Sequence, residues 1–179
     1  MKMKTSALAL CLAMALSGCN TTPSANAKPA AEAQKPQAAA AQQSNVVKRD
    51  LAEGIYELAL RPAGDALYVA SAEGFKDVQG GVVYKLDPKT LKTIGSPHTE
   101  LKNFGMDIAP DGKTLYVTNS LDAGISAIST ADGKVLARAI FPERNKEGCP
   151  YGARQVLLHN GLLYIGAVAD PALIWIVDA

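Results

Sequence analysis

The sequence predicts an all-β fold assembled from repeated four-stranded units, and three observations carry that reading. Tyr68, Tyr116 and Tyr164 recur at a constant step of 48 residues, each after a leucine (Leu67, Leu115, Leu163) and before Val69, Val117 or Ile165. Self-similarity at such a period marks a repeat architecture. The chain's 15 Gly and 10 Pro punctuate short runs of Val, Ile, Thr and Tyr, the pattern of many strands joined by turns. Helical patterning is confined to the N-terminus.

Taken in order, the chain opens with Lys2 and Lys4, an apolar run from Ala7 to Leu16, and Leu16-Ser17-Gly18-Cys19. The apolar run is too short to span a bilayer as a permanent helix and fits a secretory leader over residues 1–18. Leu-Ser-Gly-Cys resembles a bacterial lipobox. That resemblance implies cleavage before Cys19, diacylglycerol on its thiol and stable membrane anchoring through several acyl chains; Asn20 after the cysteine favours the outer membrane of a Gram-negative envelope. Residues 19–47 are rich in Ala, Gln, Pro and Ser and lack aromatic side chains. Such a segment cannot bury enough surface to offset its ordering entropy, so a disordered tether is expected. Its root-mean-square span would be on the order of 30 Å.

The repeats occupy residues 48–179, with units at about 54–97, 103–142 and 151–179, the last incomplete. First strands read Tyr56 to Leu60, Phe104 to Ile108 and Arg154 to Leu158. Leu58, Met106 and Val156 are equivalent, as are Leu60, Ile108 and Leu158. Second strands contain the repeated tyrosines. Third strands read Val83 to Asp87, Ile125 to Ser129 and Ile174 to Asp178, where Ser129 stands in place of the aspartate. Fourth strands are expected around Leu91 to Ile94 and Val135 to Ile140. Asp111-Gly112 and Asp132-Gly133 read as two-residue turn signals, the first inside a turn from Pro110 to Lys113 that matches Pro62 to Asp65 in the first unit, and Asn160-Gly161 suits a tight hairpin because both residues tolerate positive φ.

Four strands per unit make the blade of a β-propeller. Pro110-Asp111-Gly112, Leu115 to Asn119 (Leu-Tyr-Val-Thr-Asn) and the Ile-Ser-Ala-Ile run from Ile125 resemble the YVTN-repeat propellers at that family's spacing. Gly80 to Pro88 and Ile174 to Asp178 are most similar to its periplasmic, seven-bladed YncE-like members. About two and three-quarter blades are present and propellers close with roughly four to eight. The resemblance therefore implies an N-terminal fragment, with missing C-terminal blades or self-association needed to close the ring.

The formal charge is +1, and loss of Lys2 and Lys4 with a leader leaves about −1; there is no bulk nucleic-acid footprint. Cys149 is the one thiol after Cys19, so an intramolecular disulfide in the globular part is excluded. Hydrolase, zinc-site and phosphate-loop signatures are absent, no cofactor or metal is called for, and a non-catalytic protein is expected. His98 and His159 read as loop residues. Cys149 near Arg144, Lys146 and Arg154 reads as a loop thiol without a role or as a reactive one. Asp107, Asp111 and Asp122 do not follow calcium-loop spacing.

Position supplies better candidates. In a propeller the first strand of each blade lines the central channel, which puts the equivalent residues Tyr56, Phe104 and Arg154 around one mouth. They suit stacking with planar groups or binding of an anion; the alternative is that the two rings plug the channel end. Phe75, Lys76 and Asp77 lie in an insertion peculiar to the first blade and form a second candidate. The expected function is a lipid-anchored, non-catalytic binding or scaffold module of the cell envelope, meeting envelope proteins at its rim. The YncE-like resemblance implies single-stranded DNA as an alternative ligand, and related propellers include lactone-hydrolysing enzymes, whose catalytic residues would here lie in missing blades.

Overall fold

The computed structural model describes residues 45–74 and 79–179; the expected leader, Cys19, most of the tether and Phe75, Lys76 and Asp77 lie outside them. Among the described residues twelve strands form three antiparallel sheets. The first blade contains β1 (Ile55–Leu60), β2 (Leu67–Ser71), β3 (Gly81–Leu86) and β4 (Thr93–Gly95) in that order, and β5 (His98–Thr99) also pairs with β3. The second contains β6 (Met106–Ile108), β7 (Thr114–Asn119), β8 (Gly124–Ser129) and β9 (Val135–Ile140). The third contains β10 (Gly152–His159), β11 (Leu162–Val168) and β12 (Leu173–Asp178). Each is a meander. The expected equivalences hold, since Leu58, Met106 and Val156 face Val69, Val117 and Ile165 across their hairpins.

Several local expectations are corrected. The fourth strand of the first blade is split between β4 and β5, which places His98 in a strand, its Nε2 3.0 Å from Gln79 O. Pro97 between the two pieces lacks an N–H to continue the ladder. The turn holding Asp111-Gly112 spans Pro110 to Lys113 as expected, with Ala109 N–H donating to Thr114 O, whereas the one at Asp132-Gly133 has four residues rather than two, with Ser129 N–H donating to Lys134 O. Asn160-Gly161 is the two-residue turn expected, with φ of 50° and 77° between His159 and Leu162. Ser129 is no departure in mechanism. Asp87 accepts the N–H of Lys89 and Thr90 on Oδ1, and Ser129 Oγ accepts the Ala131 N–H in the same way.

Side chains alternate along each strand, so β7 of the middle blade serves two interfaces. Leu115 and Val117 of β7, with Met106 and Ile128, pack on Ala59, Tyr68, Ala70 and Val83 of the first blade. Tyr116, between them, faces the third blade with Ile125, against Leu163, Ile165 and Trp175. Trp175 is held by a stacked Phe141 at 4.1 Å and an edge-on Tyr151 at 6.0 Å. The outer faces of the first and third blades carry exposed Leu58, Leu60, Ile174 and Ile176.

Polar side chains fasten the blades. Asn119 donates through Nδ2 to Lys102 O at 3.2 Å and accepts from Ser126 Oγ at 2.7 Å. Ser126 Oγ accepts from Arg138 Nε, whose guanidinium pairs with Glu100. This chain ties the segment between the first two blades onto the second. Asp107 Oδ2 accepts the Leu158 N–H at 2.7 Å, joining the second and third blades.

Thr118, fully buried, accepts the Gly105 N–H at 2.7 Å and donates to Arg154 O, also at 2.7 Å. Replacing this hydroxyl by a methyl in Thr118→Val leaves a buried N–H and a buried carbonyl short of partners. Denaturant unfolding is expected to show a loss of about 1–3 kcal/mol; an unchanged midpoint would mean that the bridge contributes nothing.

Candidate functional site: the mouth of the first strands

Strands β1, β6 and β10 lie side by side, and the same irregularity opens each of them. Ile55 pairs with Ser71 and Glu57 with Ala70, leaving Tyr56 as an extra residue. Ala153 pairs with Ala167 and Val156 with Ile165, so Arg154 and Gln155 together oppose Gly166. In the second blade both Phe104 and Gly105 bond to the backbone of Thr118. Two residues against one is a β-bulge, a device that re-aims side chains next to binding sites.

The three bulges aim Tyr56, Phe104 and Arg154 at one another. The rings of Tyr56 and Phe104 lie 4.6 Å apart at 53°. The Arg154 guanidinium carbon stands 5.5 Å from the Tyr56 ring centre and 5.2 Å from that of Phe104, a cation–π arrangement with both. Phe104 is buried while Tyr56 is 40% exposed, so the two rings are unequal: one is a floor and the other can meet a ligand. Glu57, Gly105 and Gln155 complete a cleft of about 120 Å³.

Gly105 is dictated by the neighbouring blade. A Cβ there would lie 1.9 Å from Arg154 O, far inside contact distance, and that same carbonyl accepts the Thr118 hydroxyl. The second blade thus fixes the backbone from which Arg154 projects.

Beside the mouth, at the end of β2, Tyr84 donates to Glu73 Oε1 at 2.6 Å and Ser71 Oγ lies 3.0 Å from the same oxygen. Desolvation, then the bond to Glu73 and its charge, push the Tyr84 phenol up to about 12. The buried Lys102 donates from Nζ to Ala72 O at 2.8 Å. These groups hold Ala72 and Glu73 directly after β2.

The other sequence candidates disperse. Cys149 is exposed, and its N–H donates to Asn145 Oδ1. His159 sits at the Asn-Gly turn, and Asp107 and Asp111 spend their oxygens on the backbone N–H groups of Ile108, Leu158 and Lys113. Among the described residues no three His, Cys, Asp or Glu side chains gather as a metal site would require. Sequence reasoning missed Gly105 and Gln155, although the repeat alignment places each directly after a chosen mouth residue. It also missed Thr118 as the group that positions Arg154.

Three meandering antiparallel sheets, packed face to face with their first strands together, define this as a β-propeller architecture. No protein-family model matches the chain. It is 31% identical over 137 residues to YncE of Escherichia coli strain K12, an uncharacterized protein, covering 74% of this chain and 39% of that one. YncE of Salmonella typhi gives 31% over 138 residues, 75% of this chain and 39% of the relative. The chain thus spans about two fifths of the length of these curated relatives. In structure it is similar to the Dos1 propeller, with a TM-score of 0.52, 17% identity, and coverage of 68% of this chain and 30% of that one, a likeness of fold alone. The chain is a YncE-like β-propeller.

Proposed function

We propose that the chain is a non-catalytic binding module of the cell envelope, anchored through lipid on Cys19, which takes a planar or anionic group at the mouth formed by Tyr56, Phe104 and Arg154. The observation that carries this is the convergence of three homologous bulges on one cleft. A bulge costs ladder pairing, and three at equivalent positions aim two rings and a guanidinium at the same point. An aromatic face beside a cation suits binding, and Glu57, the carboxylate that lines the same cleft, accepts the Leu58 N–H on Oε1. The bare faces carrying Leu58, Leu60, Ile174 and Ile176 are the surfaces for further blades or envelope proteins.

Single-stranded DNA is the specific ligand this geometry favours, because the exposed Tyr56 ring next to Arg154 offers stacking and phosphate pairing together. An oligothymidylate titrated by fluorescence anisotropy at low and at physiological salt tests it. Binding is expected to weaken with salt, and Tyr56→Ala to cost on the order of tenfold from lost stacking. No salt slope, with neither Tyr56→Ala nor Arg154→Ala mattering, sinks the DNA reading. Tyr56 is preferred to Phe104 as the probe because Phe104 is 3% exposed and its removal would disturb packing. Anchoring is checked separately by fractionation: Cys19→Ser is expected to move the protein from membranes to the soluble fraction, and a membrane-bound Cys19→Ser protein would contradict the lipid anchor.

A further inference from the structure

The first two blades enclose a second cleft of about 420 Å³ toward the opposite end of the sheets from the mouth. Its floor is apolar, formed by Val83, Leu115 and Ile128, and Ile94 and Pro97 form one wall. That size falls in the usual range for small-molecule sites. Ser96, Ser129, Thr130 and Asp132 also line it, and two further polar residues, Tyr68 and Lys85, stand beside one another there. The Tyr68 hydroxyl is buried and has no hydrogen-bond partner among the described residues. Lys85 lines the same cleft, its ammonium 5.9 Å from the Tyr68 ring centre, and it forms no ion pair among the described residues.

The register explains how they come together. Tyr68 is the cross-strand partner of Lys85, and Lys85 of Gly95, so the three stand in a row on the face turned to the second blade. In the second blade the corresponding row is Tyr116, Ala127 and Ala137; in the third, Tyr164 faces Ile176. A lysine thus replaces an apolar residue at one repeat position only, and it does so where it points between blades. The glycine beyond it leaves the site open, since a Cβ at Gly95 would make only ordinary contact, 3.6 Å from Lys85 Cβ. The homologous cleft between the second and third blades, lined by Ala127 and Ala137, is closed down to about 150 Å³. Asp132 also lines the cleft, its carboxylate 3.2 Å from the Lys134 ammonium.

We infer that the cleft between the first and second blades binds a small amphipathic carboxylate, its apolar tail against Val83, Ile94 and Pro97 and its two oxygens on the Lys85 ammonium and the Tyr68 hydroxyl. A buried phenol without an acceptor is costly, and a carboxylate oxygen supplies one. The ammonium supplies the charge and the second donor. An uncharged ligand of the same shape would leave the phenol with a weaker acceptor and the ammonium without its counter-charge.

The full chain, titrated with hexanoate and separately with hexanol and followed by backbone amide resonances, tests the assignment. Hexanoate is expected to shift Gly95 and Ser129 to Gly133 saturably, about tenfold more tightly than hexanol, as expected for hydrogen bonds to a charged group. Lys85→Met keeps the aliphatic stem and is expected to abolish the preference. Tyr68→Phe is expected to weaken hexanoate by several-fold and leave hexanol unchanged, while Gly95→Val is expected to fill the cleft and weaken both. These variants touch different elements, so a fold lost in one leaves the others to decide. Equal affinity for the two probes, a preference that survives Lys85→Met, shifts away from this cleft, or no saturable shift with hexanoate would overturn the inference.

Discussion

The Thr118 hydroxyl is the contact on which the candidate site depends. It takes the N–H of Gly105 from its own blade and gives its proton to the carbonyl of Arg154 in the next. One oxygen atom thus holds two bulges in register with each other. The close approach it enforces leaves no room for a side chain at Gly105, and it sets the Arg154 backbone so that its guanidinium lies over both Tyr56 and Phe104. The Thr of the Tyr-Val-Thr-Asn run is therefore a positioning residue as much as a structural one. Asn119 performs the companion task by gripping the segment that leads into the second blade.

Around that contact the blades divide labour by strand alternation. Odd and even residues of β7 look to different neighbours, so Val117 and Tyr116, adjacent in sequence, belong to separate cores. A repeat built this way tolerates variation at positions that face a cleft, because each cleft is closed by its own pair of blades. The difference between the Lys85 row and the Ala127 row is such a variation. The mouth and the inter-blade cleft are two uses of one scaffold: the first exploits bulges on the inner strands, the second a substitution on a third strand.

Much of this was legible in the sequence for physical reasons. The 48-residue step of the tyrosines fixes which residues are equivalent, and period-two alternation fixes which face they share. Tyr56, Phe104 and Arg154 could therefore be grouped before any geometry was known. The bulges could not, because an extra residue in a strand has no compositional mark when it is a Tyr or an Arg. The turn length at Asp132-Gly133 is not legible from its dipeptide, which is shared by two-residue and four-residue hairpins that only the closing hydrogen bonds distinguish. The Lys85 cleft escaped notice although its signal was present: aligned with Ala127 and Ile176, the lysine is the charged member of an otherwise apolar set.

The central claim is that residues from different blades form one coupled mouth, and a double-mutant cycle between Tyr56→Leu and Arg154→Met measures that coupling most directly. Stability from denaturant unfolding of the two single variants and the double variant should reveal a favourable interaction of about 0.5–1 kcal/mol, the usual worth of a cation–π contact at a partly exposed site. Strict additivity of the two substitutions would contradict the account, because the bulges would then carry their side chains past one another rather than into a shared site.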